Sequence, residues 1–185
     1  TLFREVEDNI GVAIMLHCLG NVSYMQGNNE GARIYYEESL EIYQRTGDKS
    51  TITWIQCHLG HVSLSRHLWQ AAETYFTESL AVHRQREDTL GIAACLAGLA
   101  GVAEGQGQLK GAAQLLGAAE TILETVDNIP REIAMVQTEY DRLTTVVRNT
   151  LGEDAFEATA AKGRDMMLDE AIAYALEEQP GNESG

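Results

Sequence analysis

Proline is nearly missing from this 185-residue sequence: there are two, so very little interrupts a helix. Aromatic residues supply just 6%, while alanine and leucine recur throughout, a composition that favours helix. Basic residues are also scarce, 13 against 28 acidic, for a formal charge of −15. From Leu151 onward nine acidic residues are set against Lys162 and Arg164 alone. Nucleic acid binding rests on neutralising phosphates with Lys and Arg, and no basic stripe is visible, which argues against direct nucleic acid contact. No run approaches the ~20 apolar residues of a membrane span, so no membrane partner is expected. Cysteine is confined to Cys18, Cys57 and Cys95, an odd count without close pairing. Each lies among apolar neighbours, and the expectation is three small buried thiols in a reducing compartment. The opening Thr1-Leu2-Phe3-Arg4-Glu5 does not have the pattern of a signal peptide and lacks an initiator methionine. The sequence reads as an excerpt from a longer cytoplasmic protein.

What is present is repetition, at a spacing of 40. Leu19, Leu59 and Leu99 align, then Gly20, Gly60 and Ala100, then Val22, Val62 and Val102. Ala32, Ala72 and Ala112 follow, then the bulky Tyr36, Phe76 and Leu116, then Ser39, Ser79 and Ala119. The hinges repeat as well: Gly47-Asp48, Glu87-Asp88 and Asp127-Asn128. Small residues on the first helix of each pair let the second approach closely, the bulky position fills the space toward the next pair, and Ser39, Ser79 and Ala119 admit the following unit. Helical periodicity predicts helices over 8–26, 29–45, 50–66, 69–86, 90–106 and 109–126, with turns at Gln26-Gly27-Asn28-Asn29, Arg66-His67-Leu68 and Gln106-Gly107-Gln108. No such unit buries its apolar face alone; stacking on neighbours supplies the stability.

Leu-Gly, then Ala twelve residues after that Gly, an aromatic four further and a small residue three further resembles the tetratricopeptide consensus over residues from about 12 to 126. The resemblance implies an all-α fold, a right-handed α-α superhelix of antiparallel helix pairs, with a binding rather than a catalytic role. The sequence departs from the consensus in its period of 40 instead of about 34. It has Leu16, Gln56 and Leu96 at the usual first-helix aromatic, and it lacks the closing proline. Longer turns of the Gly-Asp-Lys-Ser type between units are expected to absorb the extra residues.

Beyond the repeats, Ile133, Val136, Tyr140, Leu143 and Val147 predict an amphipathic helix over 131–150, followed by a short helix over 153–163 and a last one from Leu168 to about 178, with Asp169 placed for the helix dipole. These helices would cap the stack, and residues 179–185 are expected to be disordered. The organisation is a single helical-repeat domain over 1–185, with repeats at 8–45, 46–86 and 87–126, capping helices over 127–178 and a tail. Four blocks in order are Leu115-Leu116-Gly117-Ala118-Ala119-Glu120, Tyr140-Asp141-Arg142, Leu151-Gly152-Glu153-Asp154-Ala155-Phe156, and the run from Gly163 to Leu176. Together they are similar to the end of the helical repeat region in large bacterial signalling ATPases, some of which carry a LuxR-type DNA-binding domain. That resemblance implies a regulatory module whose nucleotide site and DNA reader lie elsewhere in the parent chain.

A search for reactive chemistry finds little. Gly98, Gly101, Gly105 and Gly107 fall at helical spacing with no strand before them, and Gly47-Asp48-Lys49-Ser50 lacks the glycine frame of a phosphate loop. Neither a Ser-His-Asp nor a Cys-His arrangement emerges from the spacing; Cys57 with His61 is the one intra-helix pair to test. His58 and His61 share a helix face and with His17 or Cys18 nearby could hold zinc, but polar residues lining a groove are the commoner explanation. The expectation is therefore no catalytic residue, no cofactor and no metal. If the first helices line a concave face, the ligand groove comprises His17, Asn21, Tyr24, Trp54, His58, His61 and Glu104. The expected partner is a protein, peptide or small molecule in that groove, or neighbouring domains of the parent chain. A scaffold that self-associates into a homodimer is the competing reading.

Overall fold

The computed structural model describes residues 2–125 and 134–177. Among them are nine helices and no strand: α1 Leu2–Met25, α2 Asn29–Thr46, α3 Lys49–Ser65, α4 Trp69–Gln85, α5 Thr89–Gly105, α6 Leu109–Glu124, α7 Ala134–Leu151, α8 Glu153–Arg164 and α9 Leu168–Glu177. The third hinge at Asp127-Asn128, the first residues of the helix expected from 131, and the tail lie outside the described residues. Helices α2 to α6 begin and end within two residues of the sequence expectation, whereas α1 starts at Leu2 instead of near residue 8.

The joints recur with the repeat. Asn28, Asp48 and Asp88 each stand before a helix and accept from its first backbone N–H groups: Gly31 at 3.0 Å, Ser50 and Thr51 at 3.1 and 3.2 Å, and Gly91 at 3.0 Å. Each satisfies donors that the helix itself leaves unpaired. Left-handed backbone falls at Gly27, His67 and Gly107, and again at Gly47 and Glu87. Only two residues separate α2 from α3 and three separate the other repeat helices, so the expectation of longer turns is corrected. The residues beyond the consensus lengthen the helices instead, which run to 16–18 residues in α2 to α6.

Glu87 is exposed and holds φ at 55°, where the equivalent position in the preceding repeat has glycine. A side chain there crowds the following carbonyl, at roughly 1–2 kcal/mol per left-handed residue. Replacing Glu87 with Gly is expected to stabilise the protein by about 1 kcal/mol, offset in part by glycine's greater freedom when unfolded. A urea midpoint that stays level or falls in the variant would contradict this.

The chain divides into two compact units, residues 1–75 and 76–185. In the first, α1 packs along α2 and α2 against α3. Ala13, Ala32, Tyr36, Tyr43, Ile55, Leu59 and Val62 form its core. Gly20 makes the α1–α2 approach possible, because a Cβ there would lie 2.5 Å from the Tyr36 ring. The Ser39 hydroxyl donates to the Ala13 carbonyl at 2.8 Å, tying α2 to α1 of the same pair. On the exposed side of α1 the expectation of three buried thiols is corrected. Cys18 is exposed, unlike Cys57 and Cys95, and Leu19 and Val22 are 43% and 50% exposed. Their equivalents Leu59, Val62, Leu99 and Val102 are buried.

In the second unit α5 pairs with α6, and α6 packs against both α7 and α8. The α6–α8 crossing is built from missing side chains. A Cβ on Gly117 would overlap the Ala160 carbonyl, and one on Gly163 would overlap the Gln114 carbonyl and stand 2.8 Å from the Ala118 nitrogen. Phe156 is buried at the start of α8 under the Arg148 guanidinium, 4.4 Å from its ring centre. Arg164, at the end of α8, bridges Glu120 of α6 and Glu157, both at 2.8 Å. Asp169 lies in the first turn of α9, where its charge opposes the helix dipole, and it accepts from Arg84 at 2.9 Å.

Candidate functional site

Six of the seven residues expected to line a groove fall in the first unit, on α1 and α3. The sequence places them there because both are first helices of a pair, and two links 41 residues apart show these helices side by side. A ring-to-ring hydrogen bond joins His17 Nε2 to His58 Nδ1 at 2.9 Å, and the Ser65 hydroxyl donates to the Tyr24 hydroxyl at 3.3 Å. The Tyr36 hydroxyl donates to Asn21 Oδ1 at 2.7 Å. Tyr36 in turn packs against both imidazoles, with ring centres 5.9 Å from His17 and 5.3 Å from His58. Trp54 stands one turn before His58, ring centres 6.5 Å apart.

Exposure sorts the set. His17, Asn21, Tyr24 and Trp54 are partly exposed. His58 and His61 are buried, at 2% and 1% exposure, so the structure does not set them on an open face. Helix α3 is covered on nearly all sides from Thr53 to Leu64, which leaves little of it open. Glu104 is half-buried in the last turn of α5, in the second unit.

Burial also sets the protonation of the two linked imidazoles. Desolvation lowers the His17 pKa, and it lowers that of His58 further, with the neighbouring His17 and His61 adding to the effect. A neutral pair satisfies the contact with one N–H and one lone pair; two imidazolium rings would face each other donor to donor. Because the folded pKa values lie below the ordinary 6.5, the unfolded chain binds more protons between those values and 6.5, and folding stability falls as pH drops through that window. The thermal midpoint is expected to decline from pH 7 toward pH 5, and His58→Gln should flatten part of that slope. A wild-type slope unchanged by the substitution would remove His58 as its source.

A second constellation was not singled out by the sequence reading. In the second unit His83, 1% exposed, is hydrogen-bonded through Nδ1 to Asp88 Oδ2 at 2.9 Å, and Asp88 Oδ1 accepts from the Gly91 N–H. The bond from His83 holds the Asp88 carboxyl below its usual pKa, and the Gly91 amide adds to this. A signal was available: His83 and Gly91 break the repeat, standing where the preceding unit has Tyr43 and Thr51.

Compared with known proteins, residues 12–46 match the tetratricopeptide repeat family. No curated protein and no solved structure matches the chain. The match covers most of the first helix pair, and the same size pattern recurs 40 and 80 residues later on the next two helix pairs. The chain thus carries a tetratricopeptide-like helical-repeat domain, and repeats of that family generally serve as non-catalytic protein-interaction modules.

Proposed function

We propose that this domain is the sensor of a bacterial signalling or transcriptional regulator, taking up a protein, peptide or small-molecule ligand along its first helices. The observation that carries the reading is the pairing of α1 with α3 through His17–His58 and Tyr24–Ser65, which sets Asn21, Tyr24 and Trp54 on adjoining helices at partial exposure. Aromatic and polar groups mixed on a firm wall suit an extended peptide, whose backbone needs hydrogen-bonding partners and whose side chains need apolar contact. The likeness of the C-terminal blocks to bacterial signalling ATPases supplies the regulatory context. Ligand contacts there would bias the equilibrium of a neighbouring domain of the parent chain by their differential affinity for its two states. A cytoplasmic setting accords with the free thiols.

The test is direct. A peptide selected on the wild-type protein from a random displayed library should bind Trp54→Ala about ten-fold or more weakly, with the unfolding midpoint little changed. Equal affinity rejects the assignment. One observation favours a self-associating scaffold instead: Val12, Met15, Leu19, Val22 and Met25 leave an apolar stripe of α1 exposed. Light scattering across a concentration series separates the two readings, since a tight dimer that no longer accepts the peptide supports the scaffold.

A further inference from the structure

The three first helices share one composition, but α1 alone is left open. Residues 9–25, 50–65 and 89–103 contain no Lys, Arg, Asp or Glu, which leaves these stretches no charged face to meet water. On α1, Val12, Met15, Leu19 and Val22 form a stripe that is 43–62% exposed. The same positions 40 residues on hold Ile52, half-buried, and the buried Ile55, Leu59 and Val62; 80 residues on they hold the buried Ile92, Cys95, Leu99 and Val102. None of these seven buried residues exceeds 5% exposure. The cover over the α3 stripe comes from a second helix. Helix α2 packs against α3, and its Tyr36, Leu40 and Tyr43, at spacings of four and three, share one core with Ile55, Leu59 and Val62.

The opening residues identify the helix that fits the α1 stripe. In the 40-residue register, Glu7-Asp8 stands where Gly47-Asp48 and Glu87-Asp88 form joints, and Leu2-Phe3 stands where α2 carries Ile42-Tyr43. We infer that the stripe seats the second helix of a preceding tetratricopeptide-like pair in the parent chain, and that residues 2–6 are the last turn of that helix. Here they extend α1 as one continuous helix. With the rest of the pair in place, the chain bends at Glu7-Asp8, Asp8 caps α1 as Asp48 caps α3, and Phe3 joins the stripe as Tyr43 joins the α3 core. A second copy of this chain fits less well. Tyr36, Phe76 and Leu116 are fully buried, so α2, α4 and α6 have already committed the ridge that such an interface needs. The stripe lies on the side of α1 away from His17, Asn21 and Tyr24, so the groove stands or falls separately.

Cys18 reports the cover. It is exposed, whereas its equivalent His58 is buried against Tyr36, ring centres 5.3 Å apart, so a Tyr36 equivalent on the preceding helix closes over the thiol. The test joins a second copy of residues 1–40 directly ahead of Thr1 in the 185-residue chain, one full period that brings the added Tyr36 and Leu40 into line with Phe3. The added copy carries Cys18→Ser, which leaves the original Cys18 as the thiol that is read. Its labelling by a maleimide should slow by about ten-fold or more relative to the unextended chain, because a covered thiol reacts only when the structure opens. Tyr36→Glu in the added copy should restore the rate. A second check is independent of how that extension folds: the parent sequence should carry alanine nine residues ahead of Thr1 and a bulky apolar residue five ahead, the places of Ala32 and Tyr36 in the register. An unchanged labelling rate in the extended chain overturns the proposal, as does a parent sequence without those two residues. Labelling that slows in the unextended chain as its concentration rises, with a dimer in light scattering, gives the stripe to a second copy and overturns it too.

Discussion

Gly163→Ala should destabilise the protein by about 3 kcal/mol or more, at the upper end of what overpacking costs. The added methyl group meets backbone, not the flexible end of a side chain: the Gln114 carbonyl and the Ala118 nitrogen of α6. Backbone in a hydrogen-bonded helix cannot yield by rotating a single bond, so α8 has to move away. Movement would loosen Phe156 and Ala160, both buried, and the Arg164 bridge between Glu120 and Glu157. Gly11→Ala in α1 is the control, because nothing lies within 4 Å of a Cβ there. That change should stabilise by up to about 1 kcal/mol through helix propensity. Urea unfolding of both variants gives opposite signs if the crossing is as tight as described; two similar shifts would show that α8 adapts.

Tyr36→Ala should cost about 3–5 kcal/mol, as expected for truncating a fully buried aromatic residue, a large share of the 5–15 kcal/mol typical of a domain. The ring is 0% exposed, fills the notch left by Gly20 on α1 and packs against His17 and His58. Its loss empties the core of the first unit at the point where α1, α2 and α3 meet. Tyr36→Phe keeps the ring and removes only the hydrogen bond to Asn21, for which about 1 kcal/mol is expected. Equilibrium denaturation of the pair separates packing from hydrogen bonding, and near-equal losses would mean that the hydroxyl, not the ring, dominates.

The helices and their contact code were legible because side-chain size was the signal. Ala32, Ala72 and Ala112 are all fully buried, as are Tyr36, Phe76 and Leu116. What periodicity could not reveal was which sides of a helix receive cover. Cys18 has apolar neighbours much as Cys57 does, yet it lies on the outer face of α1 while Cys57 is enclosed. His58 and His61 were placed on a groove by helical phase alone, and phase loses meaning on a helix surrounded on nearly every side. The contact between Gly117 and Ala160 is long-range, and no local pattern encodes which backbone a distant helix will touch. His83 with Asp88 was missed for another reason: matches to the repeat drew the reading, while the departures carried the chemistry.

The left-handed corner at Gly27, His67 and Gly107 has a consequence for how such a protein changes length. An insertion or deletion of 40 residues returns every corner, cap and small-to-large contact to its partner. A change of any other size swings the downstream helix by about 100° per residue, presenting the wrong flank to its neighbour and placing a residue unsuited to that backbone at the bend. Evolutionary growth of this architecture is therefore quantised, with relatives expected to gain or lose whole blocks while the block itself holds its size.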